Sequence, residues 1–275
     1  MSVLQQTARK CRVLSGVIAS YRNPIVPVLD RLGLLPKKET VVSLRNGLRL
    51  KVRTGTSDLP VVNEMFVHDA YSPIFNRADS TSPMVGIDIG AHIGTFTALA
   101  GTRFPKVKLY SFEPSPENFR LLQENIRLNG LESRVVSVQK AVAGERGEAR
   151  LFASTDDTGG GSLYTGDEAN RQTSCSVSII TLQDIFETFN LQTVDFLKMD
   201  CEGSEYEIFY STPPQYLRQV SQMIVEYHTH THANWLDEKN RLKTFLSDVG
   251  FDVQESDRFS LLHASRPCRG TRDRL

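Results

Sequence analysis

The stretch that most constrains this chain runs from Met84 to Thr97, where an apolar run passes directly into a glycine-bearing turn. Met84, Val85, Ile87 and Ile89 read as a strand buried on both faces, since covered faces leave no need for polar alternation. Gly90 and Gly94 mark the turn, and a helical pattern starts at Thr95. Glycine lets the backbone turn sharply and leaves room for a ligand near the main chain. The first turn of the helix presents unpaired N–H groups above the strand. Strand, glycine turn and helix in this order form a cradle for a nucleotide-type ligand.

A dinucleotide site reads Gly-x-Gly-x-x-Gly. Counted from Gly86, its second and third glycines fall where Asp88 and Ala91 stand, so an NAD-dependent oxidoreductase is disfavoured. No Gly-Lys-Ser/Thr follows the turn, so a Walker-type phosphate loop is missing too. What remains is Asp88-x-Gly90-x-x-x-Gly94, a carboxylate at the strand end ahead of the glycines. A carboxylate repels phosphate but attracts an ammonium. S-adenosylmethionine carries an ammonium, a ribose and a sulfonium but no phosphate, and it suits this turn.

The next strand, Lys106 to Phe112, ends in Glu113-Pro114, 25 residues beyond Asp88. An acidic side chain at the tip of the second strand, roughly 20 residues past the turn, is placed to accept both ribose hydroxyls. Alone, Glu113 would equally be a surface or helix-capping carboxylate. Beside the first motif it reads as a ribose ligand.

With these residues the sequence resembles the FkbM-type S-adenosylmethionine-dependent methyltransferases. The resemblance rests on Gly-Ile-Asp-Ile-Gly-Ala-His-Ile-Gly (86–94), Phe-Glu-Pro-Ser-Pro-Glu-Asn (112–118) and Phe-Leu-Lys-Met-Asp-Cys-Glu-Gly-Ser-Glu (196–205). Asn46-Gly47-Leu48-Arg49, Gly55 to Asp58, and Glu64 add to it less specifically. The resemblance implies a doubly wound, seven-stranded Rossmann-like class I methyltransferase sheet with an N-terminal preface and an inserted β-hairpin. It also implies cofactor contacts from Asp88, Gly90, Ala91, His92, Gly94, Glu113, Ala141 and Asp200. The small Ala141, past the third strand at Val135 to Val138, would admit the adenine ring. Glu64 and Tyr71 are further cofactor neighbours on this view.

The 275 residues carry a formal net charge of zero and are 40% hydrophobic, enough for one large domain. Balanced charge leaves no electrostatic footprint for nucleic acid. The four cysteines (Cys11, Cys175, Cys201, Cys268) have no Cys-x-x-Cys pairing, which fits a reducing cytoplasm. We expect a helical appendage at 1–40, a catalytic domain at 41–265 and a solvated basic tail at 266–275. The appendage lacks a signal-peptide cleavage pattern, and no stretch approaches a membrane span. It reads as an amphipathic packing or oligomer contact rather than a membrane anchor.

Asn46-Gly47 predicts a two-residue hairpin, and Asp58 to Tyr71 predicts a helix. Glu148 to Phe152 and Ser176 to Leu182 predict the inserted hairpin. The polar loop between them, Ser154 to Thr173 with Gly159-Gly160-Gly161, is either a connector or a substrate lid.

The fourth strand, Val194 to Met199, contains Lys198, and a buried ammonium needs a partner. Asp200, Glu202 and Glu205 follow at its carboxyl end, where open α/β sheets bind ligands. A calcium or magnesium cluster is the competing reading there. The fifth strand, Met223 to Tyr227, leads into His228, His230 and His232, for which zinc is the rival reading.

The expected reaction moves a methyl group to a hydroxyl oxygen of a small molecule, which the resemblance makes a sugar or a secondary-metabolite alcohol. A non-catalytic cofactor-binding protein is the alternative from another class. His228 is the expected general base, since histidine titrates nearest neutrality. Asp200 is the other candidate, or else holds the cofactor's ammonium or the acceptor. Lys198, Glu202 and Glu226 are expected to orient the acceptor.

Overall fold

The computed structural model describes residues 14–77, 82–154, 156–163, 173–228, 235–256 and 260–266. A helical stretch at 14–20 and helix α1 (Ile25–Arg31) lead into a hairpin of β1 (Glu39–Ser43) and β2 (Arg49–Arg53). The turn at Asn46-Gly47 has three residues between its pairing partners, not two: Leu44 N–H donates to the Leu48 carbonyl (2.8 Å). Loops of that length favour glycine at their last, positive-φ position, where Gly47 sits at +96°.

The outer edge of β2 is not left open. Asn125 accepts from the Lys51 N–H (2.6 Å) and Asn129 from the Arg49 N–H (3.1 Å). Residues four apart share one helix face, so these two asparagines dock the preface on a single helix. The helix expected from Asp58 to Tyr71 is in fact two, α2 (Asp58–Phe66) and α3 (Ser72–Arg77). The chain breaks between them at Asp69, with φ of 54°, and Tyr71 lies in the turn.

Alternation of strand and helix then begins with β3 (Met84–Ile89), α4 (Thr95–Arg103), β4 (Val107–Phe112), α5 (Pro116–Leu128) and β5 (Val135–Val138). Ser115 caps α5, with Pro116 in its first turn. A separate sheet follows, of β6 (Ala141–Val142), β7 (Gly147–Ala153) and β8 (Thr173–Ile180), in the order β6-β8-β7. The inserted hairpin is β7 with β8. Its second strand stops at Ile180 rather than Leu182, because Thr181 and Asp184 form a capping box that opens α6 (Leu182–Thr188).

The chain closes with β9 (Val194–Met199), α7 (Glu205–Ser211), α8 (Pro214–Leu217), β10 (Val220–Glu226), α9 (Trp235–Val249), β11 (Asp252–Glu255) and β12 (Leu261–Ser265). The main sheet has seven strands in the order β11-β12-β10-β9-β3-β4-β5. It is parallel from β10 to β5, and β12 runs antiparallel to both its neighbours. This is the doubly wound, seven-stranded, Rossmann-like arrangement expected from the sequence.

Side chains that alternate along the strands fill a core on each face of the sheet. Phe196 packs with Phe96, Phe104 and Leu109 on one face, and Leu197 with Ile87, Met199 and Val225 on the other. Strand order reverses between β3 and β9, so a crevice opens above their carboxyl ends. β10 ends at Glu226, so His228 lies beyond the strand, and His230 and His232 lie outside the described residues. Arg266, expected in a solvated tail, is docked instead. Its Nε donates to the Val220 carbonyl (3.0 Å), and its guanidinium lies 4.2 Å from the centre of the Phe251 ring.

Candidate active site

A cavity occupies the crevice above β3, β4, β9 and β10, and residues 157–161 and 163 of the insertion line it from the far side. Gly90, Ala91, His92, Glu113, Ala141, Lys198, Asp200, Glu202 and Glu226 all line it, as do Glu64 and Tyr71. Asp88, Gly94 and His228 do not.

The glycine turn works differently from the expectation of open space for a ligand. At Gly90, with φ of +72°, a Cβ would overlap the carbonyl oxygen of Asp200. At Gly94, with φ of +84°, it would meet the Leu122 side chain of α5. Both glycines are therefore required by backbone shape and by packing between elements.

Asp88 is fully buried beneath the turn. Its Oδ2 accepts from the Thr97 hydroxyl (2.6 Å), and its Oδ1 lies 3.6 Å from Lys198 Nζ. Burial raises its carboxyl above the ordinary range, against the pull of Lys198 and Thr97. Lys198 donates to the Gly90 carbonyl (2.6 Å) and lies 3.3 Å from Asp200 Oδ2. Burial alone would neutralise this ammonium, but Asp200, Asp88 and Glu226 outweigh it and lift its pKa. Lys198 thus ties the glycine turn to the end of β9.

Glu113 forms the opposite wall. Its carboxylate accepts from the backbone N–H of His92 (2.7 Å) and of Ser115 (2.9 Å), with Asn118 Nδ2 at 3.5 Å. Burial raises its pKa, and His92 and these donors oppose the rise. His92 itself has φ of 51°, a left-handed conformation that sends its N–H to Glu113 and its ring the other way.

The His92 ring meets a network in which the sequence signalled only some of the members. Asp58, fully buried, accepts from the backbone N–H, Nε and Nη2 of Arg53 at 2.8–2.9 Å and from the Thr158 hydroxyl (2.7 Å). His92 Nε2 lies 3.1 Å from Thr158 Oγ1 and 3.2 Å from Asp58. Burial works against the Asp58 carboxylate, yet hydrogen bonds from His92 and Arg53 hold its pKa well below the usual range. Asn118 Nδ2 donates to the Thr158 carbonyl (2.8 Å), and Gly159 N–H donates to Ser57 Oγ (3.1 Å).

The insertion is therefore pinned over the cavity by preface, glycine turn and α5 together. Asn118 and Asp58 stood inside quoted motifs. Thr158 had no local signal beyond a polar loop.

The acidic end lies between β9 and β10. Glu202, with φ of 54°, sits in a turn fastened by the buried Glu205. Glu205 accepts from the N–H groups of Cys201 (3.0 Å) and Gly203 (2.9 Å), and its Oε1 lies 2.9 Å from His228 Nδ1. The other ring nitrogen of His228 lies 3.5 Å from Glu202 and 3.8 Å from Asp200. Burial lowers the His228 pKa, but Glu205, Glu202 and Asp200 overcome it and push the value up to about 10.

Against the expectation of His228 as general base, His228 is not among the residues that line the cavity. The three carboxylates around its ring favour the protonated form, which has no lone pair to receive a proton. Burial raises Glu202 to about 7, with His228 opposing and Asp200 adding to the rise. Glu226 and Glu64 are raised by burial and by Asp200, and the Tyr71 hydroxyl lies 3.4 Å from Glu226.

Three named methyltransferases are similar to this chain. Methyltransferase sdnD of Sordaria araneosa is 24% identical over 215 residues, 66% of this chain and 80% of that protein. The 31-O-demethyl-FK506 methyltransferase FkbM of Streptomyces tacrolimicus is 25% identical over 171 residues, 52% of this chain and 65% of that one. The hexuronic acid methyltransferase AglP of Haloferax volcanii is 24% identical over 141 residues, 51% and 54% respectively. The model of the methyltransferase FkbM domain matches residues 88–253, more than half of the sequence, from the carboxylate of the glycine turn to β11, and the chain belongs to the FkbM methyltransferase family.

Proposed function

We propose that this chain transfers a methyl group from S-adenosylmethionine to a hydroxyl oxygen of a small molecule, a sugar or a secondary-metabolite alcohol. Glu113 carries the reading. Its carboxylate is fixed by donors from His92, Ser115 and Asn118. Oε2 keeps a lone pair for a hydroxyl such as one of a ribose, and on Oε1 the long 3.5 Å bond from Asn118 is the one a second hydroxyl would displace. His92 Nδ1, Thr95 Oγ1 and Ser204 Oγ are buried in the cavity lining and have no hydrogen-bond partner among the described residues. A polar ligand in the cavity would satisfy them. Ala141 also lines the cavity, and its small side chain would admit a flat ring. The residues fit the cofactor, which when bound supplies an electrophilic methyl on a positively charged sulfur.

The acidic end supplies the remaining chemistry. Glu202, with a pKa near 7, is poised to take the acceptor's hydroxyl proton onto its carboxylate near neutral pH. The His228 cation fixes that carboxylate from behind and keeps it ionised. Asp200, Glu226, Glu64 and Tyr71 offer acceptors that orient a polyhydroxylated substrate, and Lys198 holds Asp200 in place. Much of the acceleration then comes from fixing the hydroxyl in line with the methyl carbon. The names of two relatives, a 31-O-demethyl-FK506 methyltransferase and a hexuronic acid methyltransferase, agree with such acceptors.

The test is incubation with methyl-labelled cofactor and a panel of hydroxylated sugars and macrolide-type alcohols, with binding followed by calorimetry. Labelled ether product supports the proposal. Cofactor binding with no transfer to any acceptor leaves the non-catalytic alternative, and tight NAD binding overturns the cofactor assignment.

A metal-assisted variant rests on one observation. Asp200, Glu226 and His228 each bring a ligand atom to within 4.8 Å of the others. Activity lost to a chelator and restored by magnesium would favour that variant over Glu202 as the base.

A further inference from the structure

Among the described residues seven large apolar side chains are exposed, and five of them fall between positions 14 and 34. They are Leu14 (39%), Ile18 (48%), Ile25 (61%), Leu32 (63%) and Leu34 (65%). Leu14 and Ile18 stand four apart on one helical face, and Ile25 and Leu32 stand seven apart along α1 and its cap. The other side of the same segment is already used. Val17 and Tyr21 are fully buried, and the Tyr21 hydroxyl donates to Asn63 (2.8 Å). A segment that docks through one apolar face and shows a second to solvent marks a surface that something else covers.

Charge decides what covers it. Arg22, Arg31, Lys37 and Lys38 are exposed within residues 14–38. The one acid there, Asp30, is half-buried and accepts from the Gly55 N–H (2.6 Å). This cationic, apolar surface belongs to a chain whose formal net charge is zero, so the excess is local. Lys37 is answered by Asp156, but a second copy docking on the surface would still set Arg22, Arg31 and Lys38 against the same three, with the half-buried Asp30 the one acid of the segment. An anionic bilayer answers both features at once. Its headgroups take the lysines and arginines, and the acyl boundary takes the leucines and isoleucines.

We propose that residues 14–38 form a docking surface for an anionic lipid bilayer, lying in its headgroup layer. No helix among the described residues is long and apolar enough to cross a membrane, so the contact is peripheral. Lys37 pairs with Asp156, the neighbour of the cavity-lining Asp157, so the surface adjoins the insertion over the candidate site.

The test is vesicle flotation of the full chain, with phosphatidylcholine vesicles and with mixed phosphatidylcholine and phosphatidylglycerol vesicles, at low and high salt. Binding should favour the anionic vesicles at least tenfold and weaken as salt screens the charges. The triple variant Ile25→Glu, Leu32→Glu, Leu34→Glu should lose at least tenfold in vesicle binding while melting like the parent, since all three side chains are exposed. Arg22→Glu with Arg31→Glu should abolish the preference for anionic lipid. No binding to either vesicle, or equal binding to both, overturns the proposal. A dimer that the triple variant converts to a monomer, without vesicle binding by the parent, assigns the surface to self-association and overturns it too.

Discussion

The carbonyl oxygen of Asp200 fills the space that a side chain on Gly90 would need, so the ends of β3 and β9 meet backbone to backbone at the floor of the cavity. Gly90 also sits at φ of +72°, where an L side chain is strained. Gly90→Ala should therefore cost about 1–3 kcal/mol of unfolding free energy and weaken cofactor binding. Denaturant unfolding and calorimetry on the same variant would check this. Unchanged stability would mean that Asp200 is free to move.

Glu113→Ala removes the carboxylate proposed to meet the ribose hydroxyls. Loss of hydrogen bonds to a charged group should weaken binding of S-adenosylmethionine by about 1.5–3 kcal/mol. Calorimetry with the demethylated cofactor reads this without needing an acceptor. An unchanged affinity would take Glu113 out of the cofactor site.

The identity of the base separates two variants. Glu202→Gln should lower turnover by roughly 10²–10⁴-fold with cofactor affinity nearly constant. His228→Gln should keep measurable turnover at high pH. Its acid limb should move up, because the imidazolium that holds Glu202 ionised is gone. If instead His228→Gln is dead at every pH and Glu202→Gln is active, the proton goes to His228 after all.

The roof over the cavity depends on Thr158. Thr158→Val removes the hydroxyl shared by Asp58 and His92 and leaves the backbone contact to Asn118. Cofactor release should quicken by roughly tenfold, the scale of one hydrogen bond to a charged group. Hydrogen exchange across 156–163 should speed up with it. Identical exchange in variant and parent would reduce the insertion to a connector.

Stability should fall as pH rises through the range set by His228. Its folded pKa of about 10 lies above the ordinary value near 6.5. Its ion-paired form therefore stabilises the fold fully below about pH 6.5 and loses that contribution on the way to 10. Glu202, raised to about 7, has the same sign between its ordinary range and neutrality. Thermal melts of parent and His228→Gln should differ most near pH 6 and least near pH 10. A gap that widens with pH would contradict the ion-paired assignment.

Much of the candidate site was legible along the chain because its elements are local. The apolar run at Met84–Ile89, the glycine turn and the helix after it lie within twenty residues, and Glu113 follows at the tip of the next strand. Asn118 was visible in its motif as a residue, though not as the link between Glu113 and Thr158. The break between Phe66 and Ser72 was missed, since a short apolar stripe continues across it and only the left-handed Asp69 interrupts the helix. The hairpin loop has three residues rather than the expected two for a similar reason. Asn-Gly suits more than one turn, and the register is decided by pairing across β1 and β2.

By itself the sequence determined most of the alternation of strands and helices, the glycine turn after β3 and the presence of a carboxylate at the tip of the next strand. Those rest on periodicity, backbone freedom and charge at short range, all of which are written in neighbouring residues. Tertiary structure alone decided which carboxylates face the cavity and which proton each group holds. Asp88 became the buried partner of Lys198 because β3 and β9 lie side by side. The pKa of His228 is raised because Glu205, Glu202 and Asp200 reach it from another strand's end. Protonation follows burial and the sum of nearby charges, and those charges come from residues that only the folded chain brings together.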